Sequence, residues 1–177
     1  MFYKNDFSNL AQPATEEEFF QWGYSQHKYP IDNNLPPEVK SAWVNALREP
    51  ERKQAKNRLQ LVDSKGNKYQ CCLGVLCELQ GLRSNLMDSA YSVDDGPELV
   101  MSVSEFEFGY GDGYSEFENG LPTERFMKSL GMDDKPATFV YSFKAFGTTF
   151  YQKTALSELN DDGFTFSQIA DIIECFF

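Results

Sequence analysis

Apolar residues recur at helical spacing in the first half of the chain. Pro36 and Pro37 precede this segment, and proline is tolerated in the first turn of a helix. Pro50 follows the segment and would end a helix, because proline lacks the N–H that a helix interior needs. The predicted apolar face consists of Val39, Ala42, Trp43, Ala46 and Leu47, at steps of one, three and four residues.

Two short helices are predicted at the C-terminal end. Thr154 is placed to cap a helix over 155–159, and the turn-forming residues 160–163 follow it. Ser167 is placed to cap the last helix. The apolar face of that helix would consist of Ile169, Ala170, Ile172 and Ile173.

A hairpin followed by a helix is predicted between these regions. Residues 58–62 and 68–72 have strand character, and the turn formers of 63–67 separate them. The apolar run 73–79 then predicts a buried helix, with Gly81 as its stop signal.

Three further elements follow. Val100 to Phe108 alternates apolar and polar residues and predicts a strand. Residues 124–130 predict a short helix ended by Gly131. The β-prone run 136–150 predicts a second hairpin with its bend at 144–147.

These elements predict an α+β fold, in which small antiparallel hairpins are packed by several helices. The length of 177 residues suits a single domain over 1–177. Residues 83–120 are polar and acidic and resemble an insertion. No apolar run approaches the roughly 18–20 residues of a membrane helix, and the N-terminus lacks the pattern of a secretory signal. We therefore expect an intracellular protein without a membrane partner.

The charge of the chain is unevenly distributed. The net charge is −11, which disfavours direct binding to nucleic acid. Residues 41–70 nevertheless carry seven basic and three acidic side chains. Three interpretations stay open: these cations match acidic groups of the same chain, they form an anion site, since Arg pairs bidentately with phosphate, or they are a solvated surface with no role. The basic residues are Arg48, Arg52, Lys53, Lys56, Arg58, Lys65 and Lys68.

The cysteines and the single histidine do not favour catalysis or metal binding. Cys71, Cys72 and Cys77 lack the paired spacing of a zinc site and lie in an apolar stretch, where free cysteine is mostly a small buried residue. A nucleophilic Cys72 at the start of a helix is the functional alternative. His27 alone gives no Ser-His-Asp set. We therefore predict no metal, no cofactor and no catalytic residue.

Three segments together resemble a family of small proteins from tailed bacteriophages and prophages. They are Trp43-Val44-Asn45-Ala46-Leu47-Arg48, Cys71-Cys72-Leu73-Gly74-Val75-Leu76-Cys77-Glu78-Leu79 and the run LNDDGFTFSQIADIIE near the C-terminus. The resemblance spans residues 39–174, interrupted by 83–120. It implies a phage accessory protein acting in the cytoplasm of a bacterial host, and it assigns no site residue.

The first functional hypothesis is a non-enzymatic binder that sequesters an anionic, nucleotide-derived small molecule, such as a host defence signal. Arg and Lys would contact phosphate, and Trp43 or Tyr69 would stack on a base, although Trp43 on an apolar face also suits the core. The proposed contacts are Arg48, Arg52, Lys53, Lys56, Arg58, Trp43 and Tyr69.

The alternative is an acidic inhibitor or DNA mimic that binds a host protein. Carboxylates spaced along a β element can imitate phosphates, and aromatic side chains anchor interfaces. The aromatic content is also compatible with a homo-oligomer. The residues of this alternative surface are Glu105, Glu107, Tyr110, Asp112, Tyr114 and Glu116.

Overall fold

The computed structural model describes most of the chain from residue 34 onward. The described residues are 12–13, 17, 34–63, 65–94, 100–109, 121–122, 124–132 and 136–177, with the backbone alone described for 83–94 and 100–109. The helices are α1 (Pro37–Leu47), α2 (Cys72–Leu79), α3 (Glu124–Ser129), α4 (Leu156–Asp161) and α5 (Phe166–Phe176). The strands are β1 (Gln12–Pro13), β2 (Lys53–Gln54), β3 (Gln60–Val62), β4 (Lys68–Gln70), β5 (Arg83–Asp94), β6 (Val100–Gly109), β7 (Thr138–Ala145) and β8 (Thr148–Ala155).

The strands form two sheets. One has the order β1-β7-β8 and the other the order β2-β4-β3-β6-β5. All pairings are antiparallel except that of β2 with β4. With helices packed against these sheets, the chain has the α+β fold that the sequence predicts.

The core is built mainly by α1, α2 and α5. Trp43, Leu73, Leu76 and Ile173 are fully buried, and α1 packs against both α2 and α5. The apolar spacing of α1 therefore predicted the helix correctly. One position of the predicted face was wrong: Ala42 is exposed, and Val44 is buried instead.

The predicted β3–β4 hairpin is confirmed, and α2 follows it directly. Gly74 lies so close to the preceding backbone that a Cβ atom there would come within 1.8 Å of the carbonyl oxygen of Leu59. Only glycine permits this approach, which lets the first turn of α2 pack directly against the start of the hairpin.

The second hairpin is confirmed too, with a two-residue loop. Ala145 pairs with Thr148, so Phe146 and Gly147 form the loop. Their φ angles are +51° and +74°, the pattern of a type I′ turn. Phe146 is fully exposed in this strained conformation.

The predicted helix caps at the C-terminal end were wrong. The last helix begins at Phe166 and not after Ser167: Thr165 accepts the N–H of Gln168, whose side chain accepts the N–H of Thr165. Strand β8 continues through Thr154, so α4 starts one residue later than predicted.

Three strands were not predicted: β1, β2 and β5. Strand β5 lies in the acidic stretch, whose polar residues give no clear strand pattern. Strands β1 and β2 are each only two residues long. Strand β6 was predicted at 100–108 and is confirmed. No helix among the described residues is long and apolar enough to cross a membrane.

Candidate functional site

Several cations of the basic segment are held by carboxylates of the same chain. Arg48 binds two carboxylates of α5: its Nη2 lies 2.7 Å from Asp171 Oδ1 and 2.8 Å from Glu174 Oε2. A further bond joins Arg48 Nη1 to Glu174 Oε1 at 3.0 Å. These bonds raise the pKa of Arg48 above its ordinary value and lower that of Glu174. Arg48 therefore stabilises the contact between α1 and α5.

Arg52 and Lys68 share one carboxylate, that of Glu78 on α2. Lys68 Nζ lies 2.7 Å from Glu78 Oε2, and Arg52 Nη1 lies 3.6 Å from Oε1. Arg52 also pairs with Glu49 at 2.8 Å. Burial by itself would raise the pKa of Glu78, but hydrogen bonds from Lys68 and Gln70 outweigh it and lower the pKa. Arg52 and Lys68 are therefore both paired with carboxylates of the same chain.

The two aromatic residues proposed to stack on a ligand differ in position. Trp43 is 0% exposed and donates from Nε1 to the carbonyl oxygen of Cys72 at 2.9 Å. Its proposed contact with a ligand was therefore wrong, and it belongs to the core. Tyr69 is half-buried, and Lys53 Nζ lies 5.2 Å from the centroid of its ring, within cation–π range.

A cavity lies where the segment after β2 meets α4. Its volume is about 300 Å³, at the lower end of the roughly 300–1,000 Å³ of small-molecule pockets. One guanidinium, two carboxylates, an amide and a hydroxyl contribute polar groups, beside a thiol and an isobutyl side chain. The lining residues are Asn57, Arg58, Cys71, Leu121, Ser157, Glu158 and Asp161.

Asn160 holds the walls of this cavity together. It is 0% exposed, and its Oδ1 accepts from Gln54 Nε2 at 2.9 Å and from the N–H of Cys72 at 3.2 Å. Its Nδ2 donates to the carbonyl oxygen of Ala55 at 2.8 Å. One amide thereby joins α4, the start of α2 and the segment after β2.

Asp161 fixes the rim of the cavity. Its Oδ1 accepts the backbone N–H of Asn57 at 2.8 Å. Asn57 has a φ of +58°, a left-handed conformation that asparagine tolerates better than most residues. This bond positions the neighbouring Arg58, whose Nη1 donates to the carbonyl oxygen of Asn57 at 2.7 Å.

The thiol of Cys71 forms a neutral part of the wall. Its Sγ caps α2 by accepting the N–H of Gly74 at 3.4 Å. Burial raises its pKa to about 12. Burial also raises the pKa values of Cys72 and Cys77 well above the ordinary range. The alternative of a nucleophilic Cys72 was wrong, because a buried thiol that stays protonated is a poor nucleophile.

The remaining predicted positions fall into three groups. Lys56 is exposed, next to Asn57 in the chain. Glu105 and Glu107 lie on β6, where Glu105 pairs in register with Leu61 and Glu107 with Asn85. Four residues of the alternative acidic surface and the single histidine lie outside the described residues: Tyr110, Asp112, Tyr114, Glu116 and His27. Within the described part of the chain, no three potential ligands group as a metal site.

The sequence interpretation missed the contribution of α4. The run Asn160-Asp161-Asp162-Gly163 predicted a turn, because these residue types favour turns. In the structure Asn160 and Asp161 end a helix and organise the cavity. The available signal was their presence in the run LNDDGFTFSQIADIIE, one of the three segments singled out in the sequence.

Comparison with known proteins identifies a family. Neither a search of curated proteins nor a search of solved structures found a match. A family model described as a domain of unknown function, DUF8296, matches residues 35–177. That range contains each described residue that lines the cavity and the described hydrogen bonds of Asn160. Since the match covers well over half of the chain, the protein belongs to the DUF8296 family.

Proposed function

We propose that this protein is a non-enzymatic binding protein that captures a small, anionic, nucleotide-derived molecule. Its role would be that of a phage accessory protein in the bacterial cytoplasm, where it withdraws such a molecule from a host defence system. The phage assignment depends on the three sequence segments described above. The cavity beside Arg58 is the observation that supports the binding activity.

The size and position of the cavity support this proposal. A space of about 300 Å³ suits a mononucleotide-sized guest better than a macromolecule. Its walls are held by a buried hydrogen bond of Asn160 and an exposed one of Asp161, so the site is organised before a ligand arrives. Such preorganisation favours binding, because less side-chain freedom is lost when the ligand enters.

Of the seven cations of the basic segment, Arg58 is the one that lines the cavity. Arg48, Arg52 and Lys68 serve intramolecular ion pairs. Arg58 lines the cavity, and the exposed Lys56 is two residues away in the chain. Because Arg58 lines the cavity, we assign the anionic end of the ligand to it, with the exposed Lys56 as a second cation nearby in the chain.

The chemistry of the walls favours capture over turnover. The thiol that lines the cavity, Cys71, is buried, and burial raises its pKa to about 12, which keeps it protonated at neutral pH. A protonated thiol is not an effective nucleophile. We therefore expect a bound molecule to be released unchanged, which mass spectrometry of the released ligand can establish.

Isothermal titration calorimetry with a panel of linear and cyclic nucleotides tests the proposal. Arg58→Gln removes the cation that lines the cavity and should weaken binding at least about tenfold, the equivalent of one charge-assisted hydrogen bond. Lys65→Gln is the matched control, because Lys65 belongs to the same basic segment but is exposed in the β3–β4 turn. Equal affinity in wild type and Arg58→Gln would contradict the proposed site, and absence of binding across the panel would contradict the function.

The acidic inhibitor remains a second candidate, supported by the formation of β6. Glu105 and Glu107 occupy alternate positions of this strand, the regular spacing that phosphate mimicry requires. Charge reversal at both positions should abolish capture of a single stoichiometric host protein in a pull-down. Charge reversal at Glu38 and Glu51, two exposed acidic residues elsewhere in the fold, is the control and should leave that capture unchanged.

A further inference from the structure

We infer that the cavity selects ligands carrying an amine or another group with paired hydrogen-bond donors, in addition to the anion. This inference rests on the proposed binding function and specifies its ligand class. The favoured molecule is a nucleotide with an exocyclic amino group on its base. Inorganic phosphate or an anion without donors would satisfy only part of the cavity wall.

The first argument is the number of carboxylates in the wall. Glu158 and Asp161 both line the cavity, and they lie three residues apart on α4, on the same side of the helix. Together with Arg58 they make the described part of the lining bipolar, with one cation and two anions. A ligand that is only an anion would face repulsion from both carboxylates, whereas a ligand with donors can bind them.

The second argument is how these carboxylates are held. Glu158 Oε2 accepts the N–H of Ala155 and the hydroxyl of Thr154, both at 3.2 Å. Asp161 Oδ1 accepts the N–H of Asn57 at 2.8 Å and Asn160 Nδ2 at 3.1 Å. In the part of the chain that the structure describes, all hydrogen bonds to these groups therefore fall on one oxygen of each. The second oxygens, Glu158 Oε1 and Asp161 Oδ2, remain as acceptors on groups that are already oriented.

The third argument is the remaining lining. The side chain of Leu121 and the neutral thiol of Cys71 give an apolar portion of the wall, and Ser157 adds a hydroxyl. A flat heteroaromatic base can contact the apolar portion while its amino group donates to a carboxylate. Carboxylate side chains recognise the amino group of cytosine in the same way.

Calorimetry with two matched nucleotide pairs tests this inference. The first pair is AMP and purine riboside monophosphate, and the second is CMP and its analogue without the 4-amino group. Within each pair only the amine changes. The amine-bearing member should bind at least about tenfold tighter, the equivalent of one charge-assisted hydrogen bond.

A variant links this preference to the cavity wall. Glu158→Gln keeps the shape of the side chain but removes its negative charge and replaces one acceptor oxygen with a donor NH2 group. The preference for the amine should therefore fall below about threefold. Asp162→Asn is the matched control, because it makes the same charge change at the exposed C-cap of the same helix, which does not line the cavity. The control should retain the wild-type preference.

The outcomes separate the inference from the proposed function. Nucleotide binding with no preference within either pair, or a preference that Glu158→Gln leaves unchanged, overturns the inference and leaves the binding function standing. If no nucleotide binds, a non-nucleotide pair decides: phosphoethanolamine and ethyl phosphate. Preferential binding of phosphoethanolamine, lost in Glu158→Gln, supports a bipolar site without the nucleotide function, and no binding of either compound overturns both.

Discussion

Arg48 and Glu174 join the end of α1 to the end of α5 through two parallel hydrogen bonds. Nη1 lies 3.0 Å from Oε1 and Nη2 lies 2.8 Å from Oε2, the bidentate geometry that suits a guanidinium and a carboxylate. The two residues are 126 positions apart in the sequence. This pairing, and not an external anion, therefore accounts for the charge of Arg48.

Replacing Asn160 should destabilise the whole fold. Asn160→Ala leaves the carbonyl oxygen of Ala55 and the N–H of Cys72 without this buried partner. Such losses cost about 1–3 kcal/mol per buried group, so we expect about 3 kcal/mol from urea unfolding monitored by circular dichroism.

The control for this substitution is Asn45→Ala. Asn45 is exposed on α1, and we expect a change within about 0.5 kcal/mol. A similar small change in Asn160→Ala would contradict the role assigned to the network.

The stability of the protein should depend on pH through Glu78. Its pKa is lowered in the folded state from an ordinary value of 4.5, so the folded protein favours the charged form. This contribution is fully present above pH 4.5 and is lost as the pH falls through the lowered folded value. Urea unfolding between pH 7 and pH 3 should show a smaller loss of stability for Glu78→Gln than for wild type.

Glu51→Gln provides the comparison for that experiment. Glu51 is exposed in the connection after α1, and its removal should leave the pH profile as in wild type. Parallel profiles for wild type and Glu78→Gln would argue against the ion pairs of Glu78 as a source of acid sensitivity.

The four cysteines should differ sharply in reactivity. Cys175 is exposed, whereas Cys71, Cys72 and Cys77 are buried. Titration with a chromogenic disulfide reagent should therefore modify one thiol per chain in the native protein and all four in denaturant. Cys175→Ser should abolish the native reaction, and rapid modification of a second thiol would show that the core around α2 opens.

Replacing Phe146 should stabilise the protein. Phe146 is fully exposed at a φ of +51°, in a type I′ turn position where asparagine is strongly preferred. Phe146→Asn should raise the free energy of unfolding by about 1 kcal/mol, the strain that a non-glycine residue bears in this region. Thermal melting measures the change, and an unchanged or lower melting temperature would mean that Phe146 has packing partners in solution.

Local patterns predicted the elements that have strong internal signals. The apolar spacing of α1 and the β-prone runs of β7 and β8 were sufficient, because each buries a face that its own sequence defines. Strand β5 has a polar sequence and gains its conformation by pairing with β6, which no local pattern predicts.

The candidate site was harder to predict, because its residues are distant in sequence. Asn160 contacts Ala55 across 105 positions, and the turn-like composition around it indicates neither burial nor a helix end. The ion pairs of Arg48 likewise depend on α5 lying beside α1. Arg58 was proposed as a contact from the sequence, and it lines the cavity. Glu158 and Asp161 line it too, but their place beside Arg58 follows from the fold alone.

The backbone approach of Gly74 to Leu59 limits how the cavity can respond to a guest. Helix α2 cannot slide or roll on the hairpin without collision, and the N–H of Cys71 is bonded to the same carbonyl oxygen of Leu59 at 3.2 Å. The wall that carries Cys71 therefore moves with the hairpin as one rigid piece. Because Asn160 joins α4 to the same piece, adjustment to a larger molecule falls to side chains of the lining such as Arg58 and Glu158, which are the places to look for induced fit.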